Sequence, residues 1–123
     1  DLDTLLRTSD VISVHAPLNE YTGNLMDKAA FVKMKKDAIF LNLGRGPIVV
    51  EEDLAEALKQ GTIAAAGLDV LRTEPIQPDN PLLAIKDSHK LLITPHIAWA
   101  STEARTRLMQ IVLDHVRNFV AER

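Results

Sequence analysis

Short apolar runs recur along the chain, each stopped by proline, glycine or a polar cluster. They are Val11 to His15, Ala38 to Leu43, the "TIAAAGLDV" stretch from Thr62 to Val70, and "KLLITPH" from Lys90 to His96. Their lengths and flanks predict strands. Between them the pattern changes to a helical period. Leu2 to Thr8 reads as a short helix with Leu2, Leu5 and Leu6 on one side. Asp27 stands where it can cap a helix running to about Met34, with Ala30 and Phe31 turned inward. Glu51 to Gln60 reads as a helix with acids in its first turn, Leu54 and Leu58 on one face, and Gly61 as its stop. Ser101 can cap a last helix to about Glu122, in which Leu108, Ile111, Val112, His115, Val116 and Phe119 keep the helical period. "LNEYTGNL" and the proline-rich "RTEPIQPDNP" read as loops.

Strands that alternate with helices predict an open α/β sheet. The strands are apolar without alternation, so the expectation is a parallel sheet buried on both faces. In such sheets ligands bind outside the carboxyl ends of the strands. The residues that follow the strands therefore matter most: His15-Ala16-Pro17, Gly44-Arg45-Gly46, Asp69 to Glu74, and Thr94-Pro95-His96.

Composition narrows the classes. The chain has 123 residues, 46% hydrophobic and 25% charged, which fits a globular domain or part of one. The formal net charge of −3 argues against a nucleic-acid module. No apolar run reaches the roughly 18–20 residues of a membrane-spanning helix. There is no cysteine, hence no disulfide scaffold and no thiol chemistry, and a cytoplasmic location fits. The histidines lack metal-ligand spacing, so no metal site is expected. The chain opens on Asp1 in mid-element and reads as a piece of a longer protein.

Each strand-end residue has a bland reading. His96 can be a turn residue, Glu74 a solvated loop acid, Asp69 a turn or cap residue, and Arg45 a partner for Glu51 or Glu52. Together they are complementary. An arginine can hold a carboxylate bidentately, and a histidine can give or take a proton near neutral pH. A set of this kind could bind a carboxylic acid and handle a proton on an adjacent oxygen. "GRGPIVVEEDL" has its glycines two apart without a third in the GxGxxG place, so it is not a dinucleotide phosphate loop.

"SDVISVHAPLNEYTGNLMD", "MKKDAIFLNLGRGPIVVEEDLAEALKQGTIAAAGLDVLRTEP" and "LLITPHIAWAS" resemble, in order and spacing, the signatures of the D-isomer-specific 2-hydroxyacid dehydrogenases. "PHIAWAS" is most similar to the glycerate dehydrogenases, or hydroxypyruvate reductases, within that family. The resemblance implies a catalytic set of Arg45, Glu74 and His96. His96 would be the proton donor, Glu74 would orient it and keep it charged, and Arg45 would grip the substrate carboxylate. It implies cofactor contacts at Ala16 and Pro17 (adenosine half), Leu43 and Gly44 (nicotinamide ribose), Arg45, Asp69 (carboxamide), and His96, Ala98 and Trp99. Trp99 would line the substrate pocket or a subunit contact, and core packing fits it equally. The glycines beside Arg45 would let the backbone pass close to cofactor or substrate.

By the same resemblance, residues 1–100 are the distal half of a Rossmann-type NAD-binding domain. Residues 101–123 are a helix that would return to a substrate domain. The GxGxxG loop and the ribose-binding acid would precede Asp1, so NAD is the family expectation and NADP stays open. The implied activity is hydride transfer between NAD(H) and a small D-2-hydroxy acid or 2-keto acid, with the piece alone inactive. A homodimer, or self-association through the exposed sheet edge or the last helix, is expected. A second reading is a binding protein, because the fold and triad also resemble the C-terminal-binding-protein corepressors, which are NAD(H)-responsive transcriptional scaffolds.

Overall fold

The computed structural model describes residues 1–122. Helix α1 (Leu2–Thr8) precedes strand β1 (Val11–Val14), and α2 (Lys28–Lys33) leads to β2 (Ile39–Asn42). A 3-10 turn at Gly46–Ile48 opens into α3 (Glu51–Gln60), followed by β3 (Ala65–Leu68). A second 3-10 turn, Pro81–Ala84, precedes β4 (Leu91–Ile93), and α4 (Thr102–Ala121) closes the chain. The strands form one parallel sheet in the order β1-β2-β3-β4.

The expected caps form. The Asp27 carboxylate accepts from the Ala30 N–H at 2.9 Å, and the Ser101 hydroxyl accepts from the Ala104 N–H at 3.2 Å. Gly61 ends α3 in the left-handed conformation, φ +68°, where its N–H reaches the carbonyls of Ala57 and Leu58.

The expectation of burial on both faces is not met. Ile12, Phe40 and Ala66 lie in register across the sheet and are buried. The intervening row, Val11 and Ile39 with Leu92 further along, is exposed. Each strand is added on the same side of the last, so right-handed crossovers put their helices on one face. α1 packs on α2, α2 on α3, and α3 on the turn at Pro81–Ala84. The core lies between these helices and the sheet, around Leu6, Phe31, Phe40, Ile48, Leu54, Leu58, Ile63 and Leu82. Phe31 meets Phe40 edge to face at 5.4 Å, a pairing worth about 0.5–1.5 kcal/mol beyond the area it buries.

The first and last helices form where the period predicts, but with little burial. In α1 only Leu6 is buried, while Leu2 and Leu5 are exposed. In α4 the apolar period is present, but none of its residues is buried. The period follows from the local sequence; burial needs an opposing surface.

Candidate active site

Because the strands are parallel, their carboxyl ends share one edge. At the end of β2 sits Asn42, a buried amide inside an apolar run. Its Oδ1 accepts from the Gly44 N–H at 3.1 Å, and its Nδ2 donates to the Arg45 carbonyl at 3.0 Å. The turn therefore folds around a side chain. It sends Arg45 outward on extended backbone, φ −143° and ψ 139°. The exposed guanidinium donates to the Gly44 carbonyl at 2.8 Å and forms no ion pair among the described residues. The pairing with Glu51 or Glu52 is not made.

The glycines beside Arg45 have a reason within the chain itself. A Cβ on Gly44 would stand 2.9 Å from the Ala16 carbonyl oxygen, and one on Gly46 would stand 1.9 Å from the Leu71 carbonyl carbon. Both approaches are to this chain's own backbone. The loop after β2 is clamped between the segment after β1 and the segment after β3.

Asp69, at the end of β3, is buried. Its Oδ1 accepts from the Thr94 hydroxyl at 2.6 Å and the Ile97 N–H at 2.9 Å, and its Oδ2 from the Ala98 N–H at 2.9 Å. Burial is the largest influence on this carboxyl and pushes its pKa up. The donors from Thr94, Ala98 and Ile97, with the nearby His96, outweigh it and hold the carboxyl below its usual range.

The Asp69 carbonyl accepts from the His96 N–H at 2.8 Å, and that N–H also reaches the Thr94 carbonyl at 3.0 Å. His96 sits at φ +56°, an uncommon conformation for a residue with a side chain. The Trp99 indole N–H donates to the His96 carbonyl at 2.9 Å. Both peptide groups of His96 are thus tied, which fixes where its ring projects.

The ring meets Glu74, with His96 Nδ1 2.8 Å from Glu74 Oε2. Glu74 Oε1 accepts from the Leu71 N–H at 2.9 Å. That backbone donor first, then His96, lowers the Glu74 pKa, against smaller opposition from burial and the Asp69 charge. An ionised carboxylate only accepts, so the proton of this bond belongs to Nδ1, and Nε2 is left for another partner. Asp69, Glu74 and His96 line a pocket of about 400 Å³ with Leu71, Ile76 and Thr94.

Ala16, Pro17, Leu43, Gly44 and Arg45 line a separate depression of about 510 Å³ with His15. The strand-end residues thus fall into two neighbouring hollows. Ala98 and Trp99 are exposed, and Trp99 starts a groove along α4. Asn42, which shapes the Arg45 turn, escaped the sequence reading; Thr94 entered it only as a strand-end residue and Glu51 only as a possible partner for Arg45. Asn42 had a signal, a lone amide at the end of an apolar run.

A parallel α/β layer covered on one face, with a carboxylate–histidine pair at the carboxyl edge of its sheet, defines the class: one half of a doubly wound ligand-binding domain. The chain belongs to the family described as D-isomer specific 2-hydroxyacid dehydrogenase, NAD binding domain, whose model matches residues 1–98. It is 50% identical over 120 residues to a hydroxypyruvate reductase of Blautia hydrogenotrophica, covering 98% of this chain and 36% of that protein. The chain thus spans about a third of the length of that relative. Among solved structures, an acyclic imino acid reductase in complex with NADPH and D-Arg superposes with TM-score 0.87 at 34% identity. It covers 99% of this chain and 38% of that one. An NAD complex of a D-isomer specific 2-hydroxyacid dehydrogenase from Lactobacillus delbrueckii ssp. bulgaricus gives TM-score 0.85 at 29% identity, covering 99% and 40%.

Proposed function

We propose that this chain is the distal part of the nicotinamide-nucleotide domain of a D-2-hydroxyacid dehydrogenase, acting on a small keto acid of the hydroxypyruvate or glyoxylate type. The observation that carries the reading is the Glu74–His96 pair, 2.8 Å apart in a pocket at the ligand edge of the sheet. The donor set suits the cofactor. Asp69 Oδ2 takes one donor where Oδ1 takes two, which leaves acceptor capacity for a carboxamide N–H. Ala16, Pro17, Leu43 and Gly44 line the second hollow beside His15 and Arg45 and offer a surface for the adenosine half and the ribose. The backbone from His96 through Ala98 to Trp99 would close the nicotinamide side.

When bound, NAD(H) supplies or accepts the hydride at the substrate carbon. His96 donates a proton from Nε2 to the carbonyl oxygen during reduction and takes it back in the reverse direction. Glu74 holds Nδ1–H and so keeps Nε2 the reacting nitrogen. Arg45 has no ion pair among the described residues and holds the substrate carboxylate. Helix α4 returns to a substrate domain; the assembled protein is a cytoplasmic homodimer, and the chain alone turns nothing over.

The test is reduction of hydroxypyruvate and glyoxylate, with NADH and with NADPH, by the polypeptide that carries this chain together with a substrate domain. His96→Gln should lower kcat by roughly a hundred- to ten-thousandfold. A His96→Gln enzyme that turns over at the parent rate refutes the assignment.

A further inference from the structure

Glu51 is a buried carboxylate that the proposed chemistry does not use. It opens α3, shortly after the Arg45 turn. Its Oε1 accepts from the Arg72 backbone N–H at 2.6 Å, and its Oε2 accepts from the Asn80 side-chain amide at 2.7 Å. The preceding N–H, that of Leu71, is the one that donates to Glu74 Oε1 at 2.9 Å. Gly46 lies so close to the same Leu71–Arg72 peptide that a Cβ there would meet it at 1.9 Å. The Arg45 segment and the Glu74 segment thus touch backbone to backbone, and one carboxylate bridges them just beside the contact.

We propose that Glu51 is a positioning residue: it fixes the Leu71–Arg72 peptide, and through the Leu71 N–H it holds Glu74 where Glu74 grips His96. The consequence for catalysis rests on the reading of Glu74 and His96 given above; the geometric claim does not. A bland role exists, since an acid in the first turn favours the helix dipole without any partner. Glu52 occupies that same turn, is exposed, and serves as the control.

The experiment follows the Glu74 carboxyl by carbon-13 NMR titration in the 123-residue chain and in its variants. Glu51→Gln keeps an acceptor for one donor and turns an NH2 on the other. The Leu71–Arg72 peptide then loosens, and the Glu74 midpoint should rise from its depressed value toward the ordinary 4.5. Adding Asn80→Asp supplies an acceptor for the new amide and should restore the parent midpoint. Glu52→Gln should leave it unmoved. Asn80→Ser is the milder variant if Glu51→Gln does not fold. It removes the donor to Glu51 while its hydroxyl can still cap the Leu82 N–H, which Asn80 Oδ1 now accepts at 2.9 Å. It should move the midpoint the same way by less.

An unmoved midpoint in both Glu51→Gln and Asn80→Ser overturns the proposal, as does failure of the double variant to restore it. In the keto-acid assay Glu51→Gln should lower kcat on the order of ten- to a hundredfold with KM little changed. If the midpoint moves as expected but the parent protein reduces no keto acid, the positioning claim stands and the proposed function falls.

Discussion

Replacing Asp69 by asparagine probes the group that organises the His96 loop. The parent carboxylate accepts from Thr94 at 2.6 Å, Ile97 at 2.9 Å and Ala98 at 2.9 Å. Asparagine has one oxygen. With that oxygen at Oδ1, its NH2 faces the Ala98 N–H, donor against donor. The Ala98 N–H is part-buried, so losing its acceptor costs about 1–2 kcal/mol, and the two bonds that survive fall from charge-assisted to neutral strength, about 0.5–1 kcal/mol each. The variant should be less stable by about 2–4 kcal/mol near pH 7. The pH dependence has a definite sign. The folded-state pKa of Asp69 lies below its ordinary 3.8. A carboxyl of that kind contributes stability that is complete above its unfolded value and is lost as pH falls through the folded value. Asparagine does not titrate. The gap between parent and Asp69→Asn should therefore be full at neutral pH and narrow below about pH 4. Urea unfolding followed by circular dichroism, at matched pH from neutral to about 3, measures this gap. A gap that does not change with pH, or one under about 0.5 kcal/mol at neutrality, refutes the reasoning.

Gly46→Ala should destabilise by more than about 3 kcal/mol or abolish folding, because its methyl meets backbone that cannot step aside. Gly61→Ala has open space around it and only the left-handed φ to bear, so it should lose about 1–2 kcal/mol; equal losses in the two denaturation curves would contradict the packing argument. Arg45→Ala should leave stability within about 0.5 kcal/mol, since among the described residues the exposed side chain bonds only to its neighbour's carbonyl. In the keto-acid assay the same variant should lower turnover by orders of magnitude, and near-parent turnover would remove Arg45 from the site. Ending the chain after Ser101 should change the unfolding free energy of the rest by under about 1 kcal/mol, because α4 has no buried residue; a larger loss in the urea transition would show that α4 does pack.

Much of the fold was legible because it is written locally. α3 runs from Glu51 to Gln60 as its acids, its Leu54–Leu58 face and Gly61 require. Asp27 and Ser101 cap where a short acceptor stands ahead of a helical period. The strands are shorter than their apolar runs, by one residue in β1 and by as many as five in β3, since a ladder ends where its neighbour ends. The strand-end rule picked out Arg45, Asp69, Glu74 and His96 as one group. The structure sorts them into two hollows, with Glu74 and His96 in contact and Arg45 in the second.

By itself, then, the sequence determined the alternation of strands and helices, the caps and stops, and which polar residues reach the carboxyl edge. These depend on residues a turn or a strand apart. Tertiary structure alone decided that the sheet is covered on one face, because coverage depends on the direction in which successive crossovers step. It decided that the glycines around Arg45 serve Ala16 and Leu71, segments far away in the chain. It also decided that Glu51 meets Arg72 across 21 residues and that His96 meets Glu74 across 22. Those contacts belong to backbones brought together by the whole sheet, and no local pattern encodes them.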